Sequence, residues 1–263
     1  MTAPRWNALV LAAGRGPDDP MAKACRVTHK CLIEVGGEPM LRRVVRTLLS
    51  APEIAAVAVS IETRTLLDDA LGPLAGDVAY LTSRESAARS SLAAIPDTGE
   101  FPWLITTGDH PLLTPEMLHY FLAEATRSGA DLCAGLASAE TILTRFPEAR
   151  RTFLRFGPDR VSGCNLFALT SPRARKALAF WHDLEKVRKR PWRLVGAFGP
   201  MALLRFVTGT LTLAGAFDLA SRRLGLVARP VLMPFAEAAV DVDKPEDRDL
   251  AEKILRERPA LPA

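Results

Sequence analysis

At 263 residues, 48% hydrophobic and 24% charged, the sequence has the make-up of a globular chain with a sizeable core, which excludes a disordered, collagenous or low-complexity protein. The formal net charge of +4 is modest, and Lys186, Arg188, Lys189, Arg190 and Arg193 crowd one segment, so a local anionic partner fits better than a nucleic-acid-wide surface. The four cysteines, Cys25, Cys31, Cys133 and Cys164, have neither CxxC spacing nor disulfide-scaffold density, and Met1 to Asn7 carries no secretory pattern; both features read as a cytoplasmic protein with reduced thiols and no zinc site.

Short apolar runs and amphipathic stretches alternate through the first half. Trp6–Ala12, Ala55–Ser60, Val78–Leu81, Trp103–Thr107 and Asp131–Ala137 read as strands, and Pro39–Leu49, Thr63–Leu71, Arg89–Ile95 and Pro115–Ser128 as the helices between them. Strand and helix taking turns requires crossover connections, hence a mostly parallel sheet with helices on both faces. Ligands collect at the carboxyl ends of strands in such sheets. The second half is less regular: a polar excursion at Ser138–Arg160, a strand at Asn165–Leu169, a helix from Pro172 to about Leu184, a strand near Val227–Met233 and a last helix from Pro245. Two nearly uncharged runs, Leu194–Leu204 and Val207–Phe217, lie between them, each too short to span a bilayer. They read either as buried helices, the reading favoured here, or as a hairpin resting on a membrane beside the basic cluster. With no internal repeat or obvious linker, the chain is expected to form one domain over 1–263 with a helical elaboration at about 181–226, which either faces a membrane or binds a substrate.

The polar segments that follow the strands carry the chemistry. The first strand stops on Leu11-Ala12-Ala13-Gly14-Arg15-Gly16, where small residues let the backbone approach a flat or phosphorylated ligand and leave main-chain N–H groups to bind anions. The spacing matches neither GxxxxGK[ST] nor GxGxxG, since Pro17 and Asp18 follow and no helix opens there. The chain returns with Lys30, a short apolar run, Gly36-Gly37 and a helix opened near Pro39. Further on, an apolar strand ends at Gly108-Asp109-His110-Pro111, with Thr114 capping the next helix and Pro115 in its first turn. Asp109 thus sits at a strand's carboxyl end, where a carboxylate can hold a metal ion. Near the end, a strand closing on Asp241-Val242-Asp243 leads through Lys244-Pro245-Glu246 into the last helix. Asp243 and Glu246 form a capping-box pattern, a role compatible with metal binding. Because side chains alternate along a strand, Asp241 and Asp243 share a face and either can be the ligand.

Taken together, the glycine loop followed by K-x-L-x-x-V-x-G-x-P-M-L resembles the MobA-like nucleotidyltransferases. That resemblance implies a Rossmann-like, three-layer α/β/α fold of the GT-A type and Mg²⁺-dependent transfer of a nucleotidyl group from an NTP, with CTP or GTP favoured, to a small phosphorylated acceptor. It implies nucleotide contacts from Leu11, Ala12, Ala13, Gly14, Arg15, Gly16, Lys30 and Asp109, and from Ser90 or Ser91 with Arg89 nearby. Lys30 is the expected phosphate lysine, with Lys23 as a competitor because Pro17–Thr28 lengthens the path. Asp109 and Asp243 are the implied Mg²⁺ ligands and, with Lys30, the catalytic set. His110, Asn165 and Lys244 are the implied acceptor contacts. Gly108-Asp109-His110 is also similar to cytidylyltransferases that activate alcohol phosphates. Two rival readings use the same features: a glycosyltransferase working on a finished nucleotide-sugar, and a non-catalytic nucleotide-binding protein.

Overall fold

The computed structural model describes residues 4–258 except 15, 17, 149–150 and 186–198, so Arg15 and the basic cluster lie outside the described residues. In chain order the first half comprises β1 (Trp6–Leu11), α1 (Pro20–Ala24), the short β2 (Glu34–Val35) and β3 (Glu38–Pro39), α2 (Met40–Ser50), β4 (Ile54–Ile61), α3 (Arg64–Leu71), β5 (Ala79–Thr82), α4 (Ala87–Ala94), β6 (Trp103–Thr107) and α5 (Pro115–Ser128). The second half adds β7 (Leu132–Ser138), α6 (Ala139–Arg145), a hairpin of β8 (Leu154–Phe156) and β9 (Asp159–Leu169), α7 (Arg175–Glu185), α8 (Pro200–Val207), α9 (Leu213–Leu224), β10 (Ala228–Leu232) and α10 (Pro245–Glu257).

Alternation along β1 decides the layering. Trp6, Ala8 and Val10 point into one core with the apolar stripes of α2, α3 and α5, while Leu9 points into a second core with Ala58, Ile105 and Leu178. In α2 the stripe is Leu41, Val44, Val45 and Leu48, one face at helical spacing. Helices therefore cover both faces of the sheet, as the alternating pattern predicts. The strand order is β10-β7-β9-β6-β1-β4-β5, with β8 paired to β9 off this path. Neighbours on the main path are parallel except at β9, which runs antiparallel to both β6 and β7. After β1 the chain passes first to β4 on one side, and β6 later fills the other side. A crevice opens at such a switch point.

The second half departs from expectation in three places. The excursion at Ser138–Arg160 contains α6 and β8, and the strand expected to open at Asn165 begins at Asp159. Asn165 sits at φ +52 beside a register shift between Ala134 and Leu136, and the first part of the strand, Asp159–Gly163, is mostly polar and carries a glycine, so it shows no apolar run. Asp241 and Asp243 end no strand; a 3-10 turn at Ala236–Ala239 leads to them through an extended stretch. The described part of the apolar pair is not uniformly buried. In α8 only Ala202 is fully buried, while Met201, Leu204 and Val207 are 66%, 56% and 72% exposed. Among the described residues no helix is long and apolar enough to cross a membrane.

Three of the four cysteines, Cys31, Cys133 and Cys164, are buried, and Cys25 is partly exposed. Burial first, and the nearby Glu62 carboxylate second, push the Cys31 thiol up to about 12; burial also raises Cys133 and Cys164. The thiolate is the reactive form. Titration of the folded protein with an aromatic disulfide at neutral pH should therefore count about one thiol, and four after denaturation. Rapid reaction of a second thiol in the folded state would contradict this packing.

Candidate active site

A cleft of about 320 Å³ opens where β1 and β6 end and takes in Leu11, Ala12, Ala13, Gly14, Lys30 and Asp109, with Asn165, Asp241 and Asp243 across from them. Lys30 starts a 3-10 turn (Lys30–Leu32) capped by His29, whose ring accepts from the Cys31 amide. Its ammonium donates to Asp109 Oδ2 at 2.5 Å and to Asp243 Oδ1 at 2.7 Å. Burial would lower the Lys30 pKa, but the charges and hydrogen bonds of Asp109 and Asp243 outweigh it and hold the pKa above the usual lysine value. Thr107 Oγ1 fixes Asp109 by donating to Oδ1 at 2.6 Å.

One main-chain bond joins the distant halves of the acidic pair: the Val242 amide donates to the Asp109 carbonyl at 2.9 Å. Val240 and Val242 anchor that stretch in a third apolar cluster with Met21, Ile33, Met40 and Ile254. The end of the chain is thus packed against the turn that carries Lys30. The start of α10 differs from the capping box expected of Asp243 and Glu246. Lys244 is the N-cap, and the Asp247 carboxylate reaches back to the Asp243 and Lys244 amides, leaving the Asp243 side chain to face Lys30.

Asp241 and Asp243 have different partners. Asp241 is held by Arg151 at 2.5 Å and receives Asn165 Nδ2 at 3.4 Å, whereas Asp243 shares the Lys30 ammonium with Asp109. Phe167 and Trp181, with ring centroids 6.0 Å apart, line the same side of the cleft as an apolar wall. A second compartment of about 500 Å³ shares Leu11, Ala13 and Gly14 and extends to Ser60, Arg84, Ser86 and Ser90. Among the described residues the buried Ser60 hydroxyl has no hydrogen-bond partner.

Several residues expected at the site lie elsewhere. His110 is 1% exposed, and burial, opposed only in part by Asp241 and Asp109, lowers its pKa to about 4; it is a neutral ring beneath the cleft, out of an acceptor's reach. The Ser91 hydroxyl is fully buried and donates to the Ala87 carbonyl, which leaves Ser90 as the serine of that pair lining the second compartment. Gly16, at φ +83, turns the chain toward α1 and does not line the cleft. Lys244 lines a separate groove with Arg145 and Lys253. Lys23 is paired with Asp18 at the surface, and Arg89 with Glu85, so neither reaches the cleft.

Residues 8–189 match the MobA-like NTP transferase domain. The chain belongs to that family. This MobA-like chain is 30% identical over 149 residues to the bifunctional enzyme IspD/IspF of Clavibacter michiganensis subsp. michiganensis, a match that takes in 53% of the chain. It spans only 35% of that curated relative's length. Among solved structures it is similar to a hypothetical transferase from Thermus thermophilus, at 30% identity and a TM-score of 0.76, over 93% of this chain and 99% of that one. It also shares its fold with a 4-diphosphocytidyl-2C-methyl-D-erythritol synthase from Anaerococcus prevotii DSM 20548, at 15% identity and a TM-score of 0.54, over 97% of each chain.

Within this MobA-like domain the sequence reading passed over Arg151, Glu62, His29 and Phe167. Arg151 lies in the excursion, where no periodicity ties it to Asp241. Glu62 directly follows β4 and could have been found by the rule that strand carboxyl ends line the site.

Proposed function

We propose that the protein transfers a nucleotidyl group from an NTP to a small phosphorylated acceptor such as a polyol or sugar phosphate, releasing pyrophosphate. One observation carries this reading: Asp109 and Asp243 converge on a single positive charge, the Lys30 ammonium, beside the glycine loop. The triphosphate would lie along that loop with Lys30 against its phosphates. The nucleoside would occupy the compartment lined by Ser60, Ser86 and Ser90. Asn165, Asp241 and Arg151, with the Phe167 and Trp181 wall, form the acceptor's side.

The residues fit Mg²⁺. Asp109 and Asp243 are hard oxygen donors that already converge on a cation, and among the described residues no cluster of three or more His, Cys, Asp or Glu offers a closed cage. Mg²⁺ suits such a partial site, being held by one or two carboxylates and completed by phosphate oxygens. Bound there, it would neutralise charge on the triphosphate and polarise the α-phosphoryl group. In the transfer an acceptor phosphate oxygen bonds to the α-phosphorus as the bond from that phosphorus to the bridging oxygen breaks, and pyrophosphate departs with the electron pair. No general base is needed, because a phosphate acceptor is already anionic at neutral pH. The chain supplies alignment and a fixed set of charges.

The test is pyrophosphate release from CTP, GTP, UTP and dTTP, each with Mg²⁺, against a panel of phosphorylated polyols and sugars. CTP is the first donor to try, since one structural relative is named for a diphosphocytidyl product. Release that requires both NTP and acceptor is expected. Release of sugar from a nucleotide-sugar, with no pyrophosphate from any NTP, would assign the cleft to glycosyl transfer.

A further inference from the structure

The glycine loop is not free to bind phosphate with every amide. The Gly14 N–H donates at 2.8 Å to Oε1 of Glu62, the residue directly after β4. The other oxygen of that carboxylate lies 3.2 Å from His29 Nε2, in contact but out of line for a full hydrogen bond. His29 Nδ1 in turn accepts from the Cys31 amide at 3.2 Å and lies 2.9 Å from the Cys31 thiol. Since that nitrogen is an acceptor, the neutral ring carries its proton on Nε2, facing Glu62. His29 caps the turn that begins with Lys30, so a single carboxylate touches both the glycine loop and the lysine turn. The packing leaves no slack: a Cβ on Gly14 would come within 2.6 Å of His29 Nε2. Burial alone would raise the Glu62 pKa, but the close His29 ring and hydrogen bonds from the amides of Glu62 and Gly14 prevail and hold it below the usual glutamate value.

We infer that Glu62, acting with His29, is a positioning residue of the nucleotide subsite: it fixes the distance between the glycine loop and Lys30, and so the shape of the triphosphate cradle. Neither side chain lines the cleft, so neither touches the nucleotide. The inference rests on the nucleotidyl-transfer reading for the identity of the ligand.

The experiment is calorimetric titration of CTP and GTP with Mg²⁺ into wild type, Glu62→Ala, Glu62→Gln and Gly14→Ala, with thermal melts in parallel. Wild-type binding of either nucleotide establishes the subsite. Against it, Glu62→Ala should weaken affinity tenfold or more. Glu62→Gln keeps an oxygen for the Gly14 amide but sets its NH2 against the His29 Nε2–H, so its loss should fall between wild type and Glu62→Ala. Gly14→Ala, which disturbs the same contact from the opposite side, should resemble Glu62→Ala. If Glu62→Ala does not fold, the Gly14→Ala and Glu62→Gln pair carries the comparison. A merely structural role lowers the melting temperature of Glu62→Ala while its folded fraction binds as wild type does, and that result overturns the inference. Failure of wild type to bind any nucleotide overturns the nucleotidyl-transfer reading and this inference with it; wild-type binding with indifferent variants overturns this inference alone.

Discussion

Asp109→Asn is expected to lower kcat for pyrophosphate release at least about a hundredfold, the scale seen when one element of preorganised charge stabilisation is removed. The substitution is nearly isosteric, and the amide can still accept from Thr107, whose hydroxyl donates to Asp109 Oδ1 at 2.6 Å. The fold should therefore survive, and circular-dichroism melts must accompany the kinetics. Asp243→Asn should show a comparable loss. If the two carboxylates act on one cation, the double variant should be at most about tenfold worse than the poorer single one, because residues working as a unit do not add. Losses that multiply would show two independent roles, and full activity of Asp109→Asn would remove it from the chemistry.

Lys30→Met is the second large change, and it should be visible in stability as well as rate. The lysine side chain is 15% exposed and its partners Asp109 and Asp243 are 21% and 46% exposed, so the pairing lies between a surface and a buried ion pair. Without it two carboxylates face each other, at an expected cost of about 1–3 kcal/mol, below the range for fully buried pairs. Turnover should fall at least about a hundredfold, since the proposed transfer sets the same ammonium against the phosphates. Added Mg²⁺ should then raise the melting temperature of the variant more than that of wild type, because a divalent ion no longer competes with the ammonium for Asp109 and Asp243. Equal shifts in both proteins would refute that competition. Lys30→Arg is not expected to rescue, since a planar fork cannot replace a compact ammonium between two converging oxygens.

The parallel half of the sheet was legible in the sequence because β1, β4 and β6 are short apolar runs and α2 and α5 carry clean helical stripes. Gly14 and Asp109 were legible because each lies just beyond the carboxyl end of such a strand, and Lys30 because it opens the K-x-L-x-x-V-x-G-x-P-M-L pattern. Legibility failed where local signals are weak. The mostly polar first part of β9, Asp159–Gly163, shows no apolar run, and Val240 and Val242 alternating with acids imitate a strand where the chain is only extended after a 3-10 turn. His110 looked like a site residue from its neighbour, but β6 ends so that the Asp109 side chain enters the cleft and the next one the core. Arg151 and Glu62 act through contacts whose partners lie far away in the chain, and no spacing rule reports such a pairing.

The link from Val242 to Asp109 also bears on the order in which the protein is made. A polypeptide still emerging from the ribosome can form β1, β4, β5 and β6 from sequence already synthesised, and with them the glycine loop and Lys30. Asp243 arrives late, and its docking needs the apolar anchors Val240, Val242 and Ile254. A nascent chain can thus lay down the glycine loop before Asp243 exists, and the acidic pair around Lys30 closes only once the last stretch has been made.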